Sequence, residues 1–140
     1  GVDLPASGTV FISVRDRDKE LVVPPAQDLQ AMGFHLVATR GTANFLSHRG
    51  LAVEGINKVL EGPPHVVDAM IDGQIQLVIN TTEGAKSIED SFSLRRTALT
   101  SGIPYYTTIA GARAAVRAIQ ALKHGSLEVA SLQSYSKSVT

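Results

Sequence analysis

Short runs of β-branched and apolar residues recur along the chain, at Thr9–Val14, His35–Ala38, Val53–Ile56, Leu77–Ile79 and Ile103–Thr107. Segments of helical spacing separate them. That alternation predicts an α/β chain in three αβα layers, with a five-stranded, mainly parallel sheet carrying helices on both faces. Helix punctuation agrees: Gly33 follows Ala26–Met32, Gly50 follows Thr42–Arg49, Gly102 follows Ile88–Ser101 and Gly125 follows Ile109–His124. Each glycine stands where a left-handed residue is expected to end a helix. Ser87, with Asp90 three residues on, has the form of a capping box opening the fourth helix. On the fifth, Ala112, Ala115, Val116, Ile119 and Leu122 form an apolar stripe at helical spacing. Pro24-Pro25 would break a helix running from Lys19, so the first helix is expected to start near Val23, with residues 15–21 as a loop or single turn. The segment 126–140 is weakly patterned, with a short edge strand expected at 127–130.

A chain of 140 residues, 44% of them apolar, builds one core of ordinary size, so one compact domain is expected. Thirteen basic residues balance thirteen acidic ones. No long-range field then gathers a polyanion or draws the chain onto an anionic membrane, which argues against nucleic acid and membrane as partners and makes any anion site local. The absence of cysteine removes disulfides, thiolate metal sites and cysteine nucleophiles, and agrees with a reducing cytoplasm. His35, His48, His65 and His124 show no metal-ligand spacing, so no metal is expected, and His35, inside a strand, is expected to be packed or partly covered. The longest uncharged stretch, Thr97–Ala112, carries Gly102, Pro104 and five threonine or serine residues and is no bilayer span. Residues 1–8 show no signal-peptide pattern, and a soluble, cytoplasmic protein is expected.

In an open parallel sheet, ligands bind beyond the carboxyl ends of the strands, in the loops that enter the next helices. Those loops read Arg15-Asp16-Arg17-Asp18-Lys19, Thr39-Arg40-Gly41-Thr42, Asn80-Thr81-Thr82-Glu83-Gly84 and Thr107-Thr108, with Lys58 just past the third strand. A glycine between hydroxyls at a helix N-terminus offers backbone and side-chain donors, and a favourable dipole, to one anion such as a phosphate. Lys19 and Lys58 supply point charges to it. Asn80 and Thr82 both donate and accept, which suits a neighbouring ribose or amide. Taken singly, each of these residues is a helix cap or a solvated lysine; their convergence on one rim favours a site. The chain lacks both the G-x-x-x-x-G-K-[ST] loop and G-x-G-x-x-G, which argues against ATP or a dinucleotide bound in the usual ways, and it lacks a G-x-S-x-G elbow. Arg95-Arg96 reads as a solvated helix face.

One ordered set of segments resembles a known family. Ile12-Ser13-Val14-Arg15-Asp16-Arg17-Asp18-Lys19, Ala38-Thr39-Arg40-Gly41-Thr42-Ala43, Ile56-Asn57-Lys58-Val59, Glu61-Gly62-Pro63-Pro64-His65, Ile79-Asn80-Thr81-Thr82, Ile88-Glu89-Asp90-Ser91 and Arg95-Arg96-Thr97-Ala98 are similar in order and spacing to the C-terminal allosteric domain of the carbamoyl-phosphate synthase large subunit. The resemblance runs from about Thr9 to Leu132. It implies a methylglyoxal-synthase-like fold, of the Rossmann or flavodoxin-like kind, over residues 9–140, with 1–8 as the linker from a preceding synthetase domain.

The same resemblance implies a domain without catalytic residues that binds a nucleoside monophosphate, UMP as inhibitor or IMP as activator. Lys19, Thr39, Thr42 and Lys58 would hold its phosphate, Asn80 and Thr82 its ribose, and Ser13 and Val59 would lie near its base. Tyr105 and Thr107 would face the neighbouring synthetase domain and its ornithine effector. Tyr106 stands where the family often has Asp, and Ala110 where it often has Asn. The parent enzyme would be an ATP-dependent ligase of arginine and pyrimidine biosynthesis, using ATP with magnesium or manganese and partnered by a small glutaminase subunit. Two rival readings remain open. A methylglyoxal-synthase-type lyase acting on a triose phosphate needs a carboxylate base, which that family supplies in a G-G-D motif; this chain has Glu61-Gly62-Pro63-Pro64-His65, so Asp68 or Asp90 would have to serve. A docking module without a ligand, its rim residues serving only as caps, is the other.

Overall fold

The structure, a computed structural model, describes residues 4–57, 65–82 and 85–139. In chain order it comprises β1 (Thr9–Ser13), a 3-10 turn (Asp16–Asp18), α1 (Lys19–Ala31), β2 (His35–Ala38), α2 (Arg40–His48), β3 (Val53–Gly55), α3 (Val66–Ile71), β4 (Leu77–Asn80), α4 (Ala85–Ser101), β5 (Tyr105–Tyr106) and α5 (Ile109–Val139). The strands form one sheet in the order β3-β2-β1-β4-β5, and every pairing is parallel. Side chains alternate across it. Val10, Ile12, Leu36, Ala38, Leu77 and Ile79 face α1, α2 and α5, while Phe11, Val37 and Val78 face α3 and α4. Two apolar cores on either side of one sheet make the three layers expected, and each fully buried Leu, Ile, Val or Phe contributes about 1.5–3 kcal/mol relative to exposure.

Where element ends differ from the expected ones, a local bond explains it. β1 stops at Ser13 because the next amide, Val14 N–H, turns away to Thr42 Oγ1 at 3.2 Å. β5 is only Tyr105–Tyr106: Pro104 has no N–H to give the ladder, though its carbonyl accepts Val78 N–H at 3.0 Å. The first helix begins at Lys19, not near Val23, and contains both Pro24 and Pro25. The two carbonyls that lose a partner belong to Glu20 and Leu21, both exposed, while Val22, Val23, Pro25, Ala26 and Leu29 are buried along one face. Burial outweighs the missing ladder bonds.

Three further expectations change. α4 starts at Ala85, so Ser87 lies inside the helix and does not cap it. α5 runs through Gly125 to Val139, and 127–130 is helix, not an edge strand; a lone glycine costs a helix about 1 kcal/mol and does not by itself stop one. His35 is exposed, with Nε2 3.0 Å from Glu54 Oε2 on β3.

At the start of β1, Gly8 has φ +124, its carbonyl accepts His35 N–H at 2.9 Å, and a Cβ there would stand 2.3 Å from Gln76 Oε1. That oxygen accepts Thr9 N–H at 2.7 Å. Gly8→Ala is therefore expected to destabilise the chain by about 2–3 kcal/mol, from the left-handed backbone and the displaced amide bond. Adding Gln76→Ala to that variant should recover part of the loss, because the clash is shared. Urea unfolding measures both, and an unchanged midpoint for Gly8→Ala would refute the close packing.

Candidate functional site

Ser13 and Asn80 end β1 and β4 and Thr39 directly follows β2, each two residues after the buried Phe11, Val78 and Val37 in turn. At the carboxyl ends of β2, β1 and β4 the apolar row thus turns polar, although Ser13, Thr39, Asn80 and the adjoining Thr42 and Thr81 are all buried. Ser13 and Asn80 are register partners. The chain order places β1 and β4 at the topological switch point, since α1 and α2 pack on one face and α3 and α4 on the other.

Thr39 Oγ1 stands 3.2 Å from Ser13 Oγ and 3.4 Å from Thr42 Oγ1, and its single proton serves one of them at a time. Thr42 Oγ1 accepts Val14 N–H, which leaves its own proton to donate. Thr39 is the N-cap of α2 but its side chain makes no capping bond. The first amide of the helix ladder is Ala43 N–H, bonded to the Thr39 carbonyl at 2.7 Å, so the amides of Arg40, Gly41 and Thr42 precede it. Donors and the positive end of the helix dipole therefore share one spot, the chemistry that receives an anion.

The β1–α1 loop brings a cation there. Asp18, buried, accepts from Arg15 Nε at 2.6 Å, and Arg15 N–H donates to Thr81 Oγ1 at 3.2 Å, tying the loop to β4. The turn so formed starts α1 at Lys19, whose Nζ lies 3.4 Å from where a Cβ of Gly41 would be. Lys19 Nζ also donates to the exposed Asp16 Oδ1 at 2.7 Å.

On the other side of the row, Asn80 Oδ1 accepts from Thr82 Oγ1 at 2.6 Å and Thr82 N–H at 3.3 Å, while its Nδ2 donates to Tyr105 OH at 2.8 Å. Lys19, Ser13, Thr39, Thr42, Asn80 and Thr82 thus form one rim, and Tyr105 is bonded to it. Thr107 is exposed just past β5. Lys58 and Val59 lie outside the described residues; Asn57, before them, follows β3 and bridges to His65. Sequence reasoning missed the roles of Arg15, Asp18 and Thr81 in holding the loop. The Arg15/Asp18 and Asp16/Lys19 spacings were visible in the sequence, but nothing there said that Asp18 is buried.

A separate cleft of 490 Å³ runs beside β2, where Asp68 lies with His35, Glu54 and His65. Its polar groups are not the convergent donors found at the rim. Asp68 has His65 Nε2 at 3.7 Å, and the side chain of Asp90 lies outside the described residues. No group of three His, Asp or Glu among the described residues is arranged to hold a metal, and no described helix is long and apolar enough to cross a membrane.

A family model described as an MGS-like domain matches residues 21–107. The chain belongs to that family. Over 135 residues, 96% of its length, it is 61% identical to the carbamoyl phosphate synthase large chain of Rhizobium meliloti (strain 1021). It is also 54% identical over 138 residues to the large chain of Brucella suis biovar 1 (strain 1330), and 44% identical over 135 to that of Methanobrevibacter smithii. The chain spans 12%, 12% and 13% of those relatives, so it corresponds to one domain of a much longer protein. Among solved structures, methylglyoxal synthase from Elizabethkingia anophelis NUHP1 superposes with a TM-score of 0.64 at 19% identity, covering 81% of this chain and 79% of that one. ForH superposes with a TM-score of 0.55 at 16% identity, covering 84% and 80%. The methylglyoxal-synthase-like fold is thereby established.

The Lys19 pairing has a measurable signature. The hydrogen bond from Lys19, and then its charge, hold the Asp16 carboxyl below the ordinary aspartate value. A lowered folded-state pKa means that the pairing is in place at neutral pH and is lost as pH falls through that lowered midpoint. Carboxyl-detected NMR titration should find the Asp16 midpoint depressed, and Lys19→Met should return it to the ordinary value; an ordinary midpoint in the unmodified chain would show that the pair does not form.

Proposed function

We propose that this chain is the regulatory domain of a carbamoyl-phosphate synthase large chain and binds a nucleoside monophosphate at the β1–β4 rim. The observation that carries the reading is the meeting of Lys19 with the uncapped N-terminus of α2 and the Ser13–Thr39–Thr42 hydroxyls. Its length agrees, at 12% of large chains to which it is similar almost end to end. In this reading Lys19, Thr39, Thr42 and Lys58 hold the phosphate, Asn80 and Thr82 the ribose, and Ser13 and Val59 border the base. UMP and IMP are the effectors. Binding communicates with the distant active site as a coupling free energy, typically about 1–3 kcal/mol.

The chemistry belongs to the rest of the parent chain, an ATP-dependent ligase working with magnesium or manganese and a small glutaminase subunit, in the cytoplasm, for arginine and pyrimidine biosynthesis. Tyr105 and Thr107 face the adjoining synthetase domain and its ornithine. A domain with such a neighbour needs an apolar contact face. Phe92 and Leu99, seven residues apart on α4, are exposed, Leu99 by 81%, while Leu94 and Ala98 of the same helix pack inward. A lyase reading is weaker, because the two carboxylates of the β1–α1 loop are already engaged by Arg15 and Lys19, and Asp68 borders the other cleft.

Calorimetric titration of the chain with UMP, IMP and phosphate-free uridine tests the reading. Saturable binding of the monophosphates and none of uridine is expected. Lys19→Ala and Lys58→Ala should each weaken UMP and IMP alike by about tenfold or more, the worth of a charge-assisted bond to phosphate. Loss of one nucleotide alone would remove the phosphate role from that lysine, and silence with all ligands would leave the rim as ordinary caps.

A further inference from the structure

Asn80 is the one rim side chain whose amide presents different chemistry at its two ends, so its use depends on which way it faces. Its oxygen is turned to two donors from Thr82 and its nitrogen to the Tyr105 hydroxyl, at 2.8 Å. A flipped amide would set Nδ2 against the Thr82 N–H, donor against donor. Tyr105 itself is anchored elsewhere. β5 pairs it with Val78, two residues before Asn80, so the phenol reaches along the sheet toward the strand end. Its ring packs against the core of Phe11, Val78 and Leu94, and the Arg95 guanidinium lies 5.6 Å from the ring centre. Arg95 is thus no merely solvated side chain.

We propose that Tyr105 is a positioning residue of the nucleotide site, acting through Asn80: its hydroxyl fixes the Asn80 amide in the orientation that receives the sugar. This rests on the reading given under the proposed function and deepens it, because the residue expected to face the neighbouring domain is then also a support of the ligand site. Tyr105 stands on an edge strand, bonded to β4 on one side only, so contact at that edge and occupancy at the rim bear on the same hydroxyl. The phosphate end, held by the hydroxyls and by Lys19, does not involve it.

Tyr105→Phe keeps the ring and its packing and removes only the hydroxyl. Titrated against the 140-residue chain, this variant should bind UMP about three- to tenfold more weakly, the loss of one neutral hydrogen bond. Its affinity for inorganic phosphate, read by competition with UMP, should stay within about twofold, since that subsite lacks the bond. In the ligand-free variant the Asn80 side-chain amide resonances should move. Equal loss of UMP and phosphate would make Tyr105 a general structural support, and unchanged UMP affinity would end the proposal. If the unmodified chain binds neither UMP nor IMP, the proposed function itself fails, a result distinct from either. Should Tyr105→Phe not fold, 3-fluorotyrosine placed at 105 gives a second reading: its fluorine signal should shift on adding UMP and not on adding inorganic phosphate, and a signal that ignores UMP overturns the inference.

Discussion

At the ends of three adjacent strands stand buried polar side chains, Ser13 and Asn80 closing β1 and β4 and Thr39 just past β2, and the arrangement of the whole rim follows from the need to bond those groups. Left unpaired, each would cost about 1–3 kcal/mol. Ser13 and Asn80 are register partners and Thr39 stands just past β2 beside them, and they bond to one another and to Thr42 of α2, Thr82 after β4 and Tyr105 of β5. A slip of one residue in any strand would send its polar end to the opposite face, into the core under α1 and α5. The register that buries Phe11, Val37 and Val78 is therefore the register that builds the site, and stability and ligand chemistry share one geometric cause.

The loops extend that constraint outward. Because Val14 N–H leaves the sheet for Thr42, β1 ends one residue early and the chain turns at once into the Arg15–Asp18 loop. Its ion pair, with Asp18 buried and Arg15 partly exposed, would be a poor source of stability for its own sake, given the desolvation of the carboxylate. It acts here as a clamp, setting where α1 begins and so where Lys19 stands over Gly41. Even the awkward Pro24-Pro25 pair belongs to this arrangement: α1 starts early enough to carry Lys19 because burial of its apolar face outweighs two missing ladder bonds. An amino group over the uncapped end of α2 is an arrangement that an anion completes and water serves less well.

Much of this was legible in the sequence, and what was not has a common reason. Apolar runs located all five strands, and glycines marked the ends of α1 and α2, because those signals are local. That Thr39, Thr42 and Lys19 share one rim was readable because strand ends and helix starts adjoin in any open parallel sheet. The continuation of α1 through two prolines, the passage of α5 through Gly125 and the start of α4 ahead of Ser87 were not, since local breakers and caps are weak against the rest of the helix. The Asn80–Tyr105 bond joins residues 25 apart in sequence and depends on the β4–β5 register, which no motif encodes. Asp18 read as a charged loop residue because burial of a charge is decided by what closes over it.

Strand order then settles how far the site is from the outside of the domain. In the order β3-β2-β1-β4-β5 the switch point falls between β1 and β4, so the strand next to the site on one side is also the edge of the sheet. On the other side Thr39 follows β2, which adjoins the other edge strand, β3. A neighbouring domain that touched β5 would be one side chain, Tyr105, away from Asn80. Close-packed cores spread a small displacement over many contacts, whereas a single hydrogen bond such as that between Asn80 and Tyr105 is either made or broken. The Asn80–Tyr105 bond is thus the route by which a ligand at the rim and a contact at the β5 edge would be coupled.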